Sequence, residues 1–337
     1  MDAARTFDDA PEPDYNRLQT LATAYRQSAL LFAGIELGVF AHLDGAGSSC
    51  EEVAKALSMD VVPAGLLLNG LASLGILERA DGRYRVLPPF RVLVPGEGYF
   101  GNQLMLHKQQ NANWLQLPAI LRGAHPSPSY ESELLQSDRV ASYLDSIEKA
   151  NRPHADLLLA ALRPAIERAE RILDVGGGHG YYARRIVTDT KKACVTVMDL
   201  DRPIAYARER LADLLPNPRL RLEIGDALTH TTERAYDMVL VNDLLHYFDA
   251  EQQCEILSRA VGAMKDDGMI VVSKFTLSSD GTEPMHASLF SLKMFVNTLR
   301  GYLATDEQTA EHLRALDLPI IQLLHFGSDK TVLIGRR

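Results

Sequence analysis

The segment ILDVGGGHGYYARRI, residues 172 to 186, constrains the fold more than any other part of this chain. It begins with a short apolar run that ends in Asp174, continues with four glycines among five residues, and then favours a helix. Glycine allows positive φ angles and a close approach to the main chain, and the first N–H groups of a helix are free to donate hydrogen bonds. We therefore predict a strand, a tight turn and a helix that hold a small ligand against the backbone.

Residues 166 to 337 alternate between β-rich runs and helical runs. The strand candidates are RILDV, ACVTVMDL, RLRLEIGD, YDMVLVN and MIVVSKF, and the helices between them are YYARRIVTDT, PIAYARERLADLL and EQQCEILSRAVGAM. This alternation predicts an α/β fold, a doubly wound parallel sheet with helices on both faces. Such sheets bind ligands beyond the carboxyl ends of their strands, where the glycine turn is expected.

Acidic residues end three successive strand candidates, and they indicate what the turn binds. The turn reads G-x-G-x-G rather than the dinucleotide pattern G-x-G-x-x-G, and the carboxylate of Asp174 suits an ammonium or sulfonium better than two phosphates. Asp199 is placed to accept hydrogen bonds from ribose hydroxyls, and Asp226 is expected beside an adenine ring. The constellation predicts S-adenosylmethionine as the cofactor. The predicted cofactor-binding residues are Asp174, Gly176, Gly178, Asp199, Leu200, Gly225, Asp226 and Ala227.

Residues 14 to 100 have the outline of a winged helix. Three helical stretches, of which EEVAKALS has Ser48 or Ser49 as a candidate cap, precede a hairpin with Asp81 and Gly82 at its turn. A winged helix serves either to bind DNA or as a packing and dimerisation module. The third helical stretch, GLLLNGLASLGIL, has no Lys or Arg, which a groove-reading helix needs. The dimerisation module is therefore favoured over a DNA-binding regulator.

The composition narrows the class of protein further. A net charge of -9 argues against nucleic acid and anionic membranes as partners. No run of eighteen apolar residues suggests a membrane span, and the acidic N-terminus lacks the pattern of a secretion signal. Three widely spaced cysteines indicate neither a disulfide framework nor a zinc site, so a cytoplasmic location is expected. We predict a disordered tail over residues 1–13, a helical segment over 101–165 that contributes to the substrate pocket, and a cofactor-binding domain over 166–337.

Several motifs resemble the small-molecule O-methyltransferases of the plant caffeate and bacterial polyketide type. They are LDVGGGHG, VTVMDLDRP, IGDAL, NDLLHYFDAEQ and DDGMIVVSKF, together with SALLFAGIELGVFAHL and LLLNGLASLGIL in the first half. The resemblance covers roughly residues 20 to 335. It implies a Rossmann-like class I methyltransferase sheet, a winged-helix-like dimerisation domain, a homodimer, and methylation of a hydroxyl on a small, aromatic secondary metabolite.

The resemblance also assigns a catalytic base. His246, in LLHYFD after the fourth strand, matches the family's proton acceptor. Two acids that usually flank this histidine are missing: Lys274 stands where the family has a Glu, and the segment RGYLATDEQ has no acid at the matching step. These departures leave open transfer to carbon or nitrogen, and a protein of this fold whose methyl transfer is altered or lost.

Two further sets of residues are candidates for the site. Asp243, His246 and His286 are an alternative metal-binding trio, because a carboxylate and two histidines suit a divalent ion; the favoured prediction is no metal. The substrate pocket is expected between the two halves of the chain, with walls from Trp114, Met105, His107, Phe290 and Met294.

Overall fold

The structure is a computed structural model that describes residues 13–96, 98–124, 140–231, 233–327 and 329–337. Nearly all of the predicted N-terminal tail therefore lies outside the described residues. The chain divides into two compact units between Gln109 and Gln110, within a helix rather than at a linker. Among the described residues, no single helix meets the length and hydropathy required to cross a membrane, although one pair of helices bent by 113° meets the criterion jointly.

The first unit is helical with a small sheet. Its elements are α1 Tyr15–Thr23, α2 Tyr25–Glu36, a 3-10 helix Val39–His42, β1 Ser48–Ser49, α3 Cys50–Ala56, α4 Val61–Ser73, β2 Leu77–Ala80, β3 Arg83–Val86, a 3-10 helix Pro88–Leu93, and α5 Gly101–Leu115, which continues into the second unit. Ser49 caps α3 through a capping box with Glu52, because each side chain bonds the other's backbone N–H. The strands form an antiparallel sheet in the order β1-β3-β2, and Asp81 and Gly82 turn the hairpin at positive φ. The predicted helices and hairpin are confirmed.

The second unit carries the large sheet. Its elements are α6 Leu117–Ile120, α7 Val140–Arg168, β4 Arg171–Val175, α8 Tyr181–Asp189, β5 Cys194–Asp199, α9 Asp201–Arg210, a 3-10 helix Ala212–Leu214, β6 Leu220–Ile224, β7 Tyr236–Asn242, a 3-10 helix Leu245–Tyr247, α10 Ala250–Gly262, β8 Met264–Phe275, α11 Met285–Thr298, α12 Asp306–Arg314, β9 Ile320–Phe326 and β10 Lys330–Arg336. All five predicted strands are present, whereas β9 and β10 were not predicted.

The seven strands lie in the order β6-β5-β4-β7-β8-β10-β9. Strands β4 to β8 pair in parallel, and β10 runs antiparallel to both of its neighbours. The chain leaves β4 towards β5 on one side and returns to β7 on the other, so the strand order reverses at β4. A crevice opens at the carboxyl ends of the strands at such a point. The glycine turn that follows β4 is therefore located there by the sheet topology.

Two apolar layers hold the helices against the sheet. On one face, Val195, Val197 and Leu240 pack with residues of α7, α8 and α9. On the other face, Val239 and Val241 pack with residues of α10 and α12. Successive strand residues point to opposite faces, so strands buried on both faces read as continuous apolar runs. This is why the central strand β7 reads as the nearly continuous apolar run YDMVLVN.

Candidate active site

The glycine turn between β4 and α8 is shaped by close contacts. The N–H of Gly176 donates to the carbonyl of Met198 at 2.8 Å, which ties the turn to the end of β5. Gly176 has a φ of +69°, and a Cβ there would lie 2.8 Å from the side chain of Leu244. A Cβ on Gly177 would lie 2.7 Å from both the carboxylate of Asp174 and Val197. The glycines are therefore required by the conformation of the turn and by its neighbours.

A cavity of about 390 Å³ opens above this turn. Residues from β4, β5, β7, the loop after β6 and helix α7 form its wall. All eight predicted cofactor-binding residues lie on that wall, namely Asp174, Gly176, Gly178, Asp199, Leu200, Gly225, Asp226 and Ala227. The sheet thus brings together three aspartates that are far apart in the sequence.

Asp199 is held by the backbone of the turn. Its carboxylate accepts hydrogen bonds from the N–H of Gly178 at 2.8 Å and from the N–H of Leu200 at 2.7 Å. Burial raises the pKa of Asp199 to about 6, although these two hydrogen bonds oppose the rise. The carboxylate is therefore fixed in place, and a donor or cation in the cavity is expected to favour its ionised form.

Unsatisfied polar atoms beside the turn fit a ligand with donors and a positive charge. Asp174 is 1% exposed, and its Oδ2 has no hydrogen-bond partner among the described residues. Burial, followed by the charge of Asp199, raises the pKa of Asp174 to about 7. Both amide atoms of Asn242, on the same wall, are likewise buried without a partner in the described part of the chain. Buried polar groups of this kind are normally hydrogen-bonded, so the wall suits a polar cofactor.

His246 lies in the 3-10 helix after β7, and its side chain is buried among aromatic rings. The ring centroids of Tyr247 and Phe290 lie 4.6 and 5.1 Å from that of His246. Burial lowers the pKa of His246 to about 3; Asp243 opposes this, and Lys330 adds to it. The imidazole is therefore neutral and weakly basic. It lines a small cavity next to the larger one, which Asp243 also borders, and it does not lie on the wall of the larger cavity itself.

Two buried lysines, which the sequence did not pair with any partner, complete this region. Lys274 donates to Asp306 at 2.5 Å, and Lys330 donates to Asp243 at 2.5 Å. Both lysine side chains are nearly inaccessible to solvent. Burial raises the pKa of Asp243, but Lys330, with smaller contributions from His246 and His154, brings it below its usual value. Lys274 thus replaces the acid expected beside His246, and its positive charge is balanced by the carboxylate of Asp306.

The alternative metal trio is not brought together, and this hypothesis is corrected. Asp243 is engaged by Lys330, whereas His286 is exposed and lies 3.4 Å from Asp329. In the described part of the chain, no group of three His, Cys, Asp or Glu residues is placed to hold a metal ion.

The predicted substrate-pocket residues occupy different environments. Met105 packs against the apolar core of the first unit, and Met294 is 1% exposed in α11. Trp114 is half-buried and Phe290 contacts His246. Neither these four nor His107 borders the large cavity of the described residues. Sequence reasoning instead missed cavity residues such as Tyr143, whose hydroxyl lies 2.5 Å from that of Tyr247.

A cavity with this lining, at the reversal point of a sheet in this strand order, defines a class I methyltransferase. A family model described as an O-methyltransferase domain matches residues 112–316, and one described as an O-methyltransferase dimerisation domain matches residues 19–89. The chain therefore belongs to the O-methyltransferase family. It is an S-adenosylmethionine-dependent methyltransferase, as the glycine turn and the three acids predicted.

Relatives extend over nearly the whole chain. The 3-hydroxy-5-methyl-1-naphthoate 3-O-methyltransferase of Streptomyces sahachiroi is 28% identical over 319 residues, which cover 92% of this chain and 91% of that protein. The phenazine-1-carboxylate N-methyltransferase of Pseudomonas aeruginosa is 25% identical, with coverage of 85% and 87%. The solved structure of an O-methyltransferase family protein from Burkholderia thailandensis superposes with a TM-score of 0.86 at 26% identity, covering 97% of this chain and 99% of that one.

Proposed function

We propose that this enzyme methylates a hydroxyl group on a small aromatic secondary metabolite, as a homodimer in the cytoplasm. The observation that carries the proposal is the cavity in which the glycine turn meets Asp174, Asp199 and Asp226. The chain matches the family models of both the O-methyltransferase domain and its dimerisation domain. The Streptomyces relative is named for methylation of a hydroxynaphthoate.

The residues of the cavity suit S-adenosylmethionine in distinct ways. This cofactor supplies an electrophilic methyl group on a sulfonium. Asp199, fixed by two backbone N–H groups, is placed to accept hydrogen bonds from ribose hydroxyls. Asp174 has an unsatisfied oxygen beside the turn, where a positively charged group would favour its ionised form. Gly225, Asp226 and Ala227 are proposed to surround the adenine.

His246 is proposed to accept the proton of the acceptor hydroxyl. Its burial keeps the imidazole neutral, which is the form that a proton acceptor requires. Asp243, three residues before His246, is engaged by Lys330 rather than by the imidazole, and Asp249, three residues after it, caps α10. We therefore assign the orientation of the ring to its packing against Tyr247 and Phe290 rather than to a carboxylate.

Calorimetry and product analysis test this proposal together. Binding of S-adenosylmethionine and S-adenosylhomocysteine is measured by titration calorimetry, and 3-hydroxy-1-naphthoate is then incubated with enzyme and cofactor. Liquid chromatography with mass spectrometry and NMR identifies the methylated atom. We expect a methoxy product. Cofactor binding with no methylation of any phenolic acceptor would overturn the O-methyl assignment.

Transfer to nitrogen is the second candidate. The observation that favours it is the weak basicity of His246, together with the Pseudomonas relative that is named as an N-methyltransferase. A neutral ring nitrogen has a free lone pair and needs no proton removed before transfer, whereas a phenol does. A phenazine or acridine carboxylate assayed beside the naphthoate separates the candidates, because an N-methyl product with no methoxy product would favour nitrogen.

We propose that the dimer forms through the surface of the first unit. Its surface exposes large apolar side chains on α1 and α2, with Tyr15, Leu18, Leu21 and Tyr25 each more than half exposed. Exposed apolar patches of this kind mark association surfaces. Light scattering at micromolar concentration is expected to give twice the chain mass of 37.3 kDa. A mass equal to one chain would contradict the dimer.

A further inference from the structure

The segment after α11 is fixed against the turn that carries His246. A Cβ on Gly301 would lie 2.5 Å from the carbonyl oxygen of His246 and 2.7 Å from the carbonyl carbon of Tyr247, so the two backbones are in direct contact. The N–H of Gly301 also donates to the Thr298 hydroxyl at 2.7 Å. The position of residue 300 is thereby set relative to the proposed catalytic base.

A buried amide joins the same two segments a second time. Gln253 of α10 is fully buried, and its Nε2 donates to the carbonyl oxygens of Phe248 at 2.9 Å and of Tyr302 at 3.2 Å. Because a buried hydrogen-bonded side chain resists displacement, these bonds hold the segments rigidly together. The backbone on the C-terminal side of Arg300 is therefore held in place by these contacts.

The charges on the cavity wall are arranged unevenly. Three carboxylates, Asp174, Asp199 and Asp226, lie at the side of the glycine turn. Elsewhere on the wall, Glu148 forms ion pairs with Arg152 and Arg210, and Asp243 forms one with Lys330. The acids outside the proposed cofactor site are thus already neutralised by partners within the protein.

Arg300 differs from Arg152, the other arginine on this wall. It borders the cavity with Tyr247 and Thr298, its side chain is exposed, and no ion pair joins its guanidinium to a carboxylate of the described residues. Arg152, by contrast, is paired with Glu148. A guanidinium offers a planar set of donors that matches a carboxylate with two parallel hydrogen bonds. An arginine at the cavity wall that pairs with no described carboxylate can therefore bind an anion.

We propose that Arg300 binds a carboxylate of the acceptor, so that the substrate is an aromatic carboxylic acid that carries the hydroxyl to be methylated. This inference rests on the proposed function for the site, and it adds the charge of the substrate. The contact between Gly301 and the His246 turn holds the backbone of Arg300 close to the segment that carries the proposed base. Arg300 would thus select the acceptor and orient its hydroxyl, and the carboxylate itself would not react.

Direct binding tests the inference without relying on turnover. The protein is saturated with S-adenosylhomocysteine, and dissociation constants for 3-hydroxy-1-naphthoate and its uncharged amide, 3-hydroxy-1-naphthamide, are measured by calorimetry. For the wild type, we expect the carboxylate to bind at least about tenfold more tightly than the amide, the size of effect usual for a charged hydrogen bond. The same measurements are made on Arg300→Gln, Arg300→Lys and a control, Arg208→Gln, which removes an exposed charge on α9 outside the cavity wall.

The expected result is a loss of the preference in Arg300→Gln, a partial recovery in Arg300→Lys, and no change in Arg208→Gln. An equal affinity of the wild type for carboxylate and amide, no binding of either compound, or an unchanged preference in Arg300→Gln would each overturn the inference. The two proposals fail in distinguishable ways. Failure of the proposed function would appear as absent methylation in a protein that still binds the naphthoate through Arg300. Failure of the inference alone would leave methylation of neutral phenols intact.

Discussion

The ammonium of Lys274 lies 2.5 Å from the carboxylate of Asp306, and both residues belong to the second unit. Lys274 belongs to β8 and Asp306 begins α12, and the hydroxyl of Thr331 donates to the same carboxylate at 2.9 Å. Burial lowers the pKa of Lys274, and the charge of Asp306 opposes that effect. Each charge is thus tolerated because the other is present.

Removal of one member of this pair is expected to be costly. We expect Lys274→Met to lower the free energy of unfolding by about 3 kcal/mol, because it leaves a partly buried carboxylate without its cation. Urea denaturation at neutral pH measures the change. The double variant Lys274→Met/Asp306→Asn is the control and should recover part of the loss, since no unpaired charge remains. A single variant as stable as the wild type would show that the pair contributes nothing.

Asp199 is expected to be the main determinant of cofactor affinity. Asp199→Ala removes both the proposed ribose acceptor and the acceptor for the N–H groups of Gly178 and Leu200. We expect the dissociation constant of S-adenosylhomocysteine to rise about 10- to 100-fold, since a hydrogen bond to a charged group contributes about 1.5–3 kcal/mol. Calorimetry measures it, with the exposed Asp201→Ala as the matched control. Equal affinities in wild type and Asp199→Ala would contradict this role.

We predict that Asp174 lowers the stability of the folded protein at high pH and contributes to the binding of S-adenosylmethionine. Its pKa rises from an ordinary 3.8 to about 7 in the folded protein, so the folded state holds a proton that the unfolded state releases. Stability therefore falls as the pH rises through this window. We expect Asp174→Asn to be more stable than the wild type by on the order of 2 kcal/mol at about pH 8, and nearly equal to it at about pH 4. The same variant should bind S-adenosylmethionine more weakly.

Asp237 provides the opposite case as a control. Its carboxylate is hydrogen-bonded by Lys265 and by the N–H groups of Glu170 and Arg171, and its pKa is lowered despite the opposing effect of burial. Its contribution to stability is therefore present at neutral pH and lost as the pH falls through its folded pKa. Asp237→Asn should destabilise the protein at about pH 8, the reverse of Asp174→Asn. Urea titrations at both pH values distinguish the two signs, and a shared sign would refute the assignment.

His246 is expected to act in the transfer step and not in cofactor binding. We expect His246→Ala to lower kcat/KM for a phenolic acceptor by about 100-fold or more, the usual contribution of a positioned proton acceptor, with an unchanged affinity for S-adenosylhomocysteine. Steady-state kinetics and calorimetry measure the two effects separately. His312→Gln, on α12, is the matched histidine control. Activity in His246→Ala close to that of the wild type would remove His246 from the mechanism.

The fold of the second unit can be predicted from the sequences of its strands. Runs such as RILDV and YDMVLVN are apolar along their length because both faces of the sheet are covered, and acids or glycines mark their ends. Strands β9 and β10 were not recognised. Strand β9 follows α11 and α12, whereas β10 inserts antiparallel between β8 and β9 at the end of the sheet. Pairing of this kind depends on contacts with β8 rather than on a local pattern.

The sequence by itself determined the glycine turn, the acids that end β4 and β5 and follow β6, and the family. These features depend on backbone geometry within a few residues, so a short segment specifies them. Only the tertiary structure decided the ionic partners of Lys274 and Lys330, which lie 32 and 87 residues away in the chain. It also decided the burial of His246 and the place of Arg300. Such contacts form where side chains from distant elements pack together in a region of low polarity. A single sequence does not specify which of these side chains will contact each other.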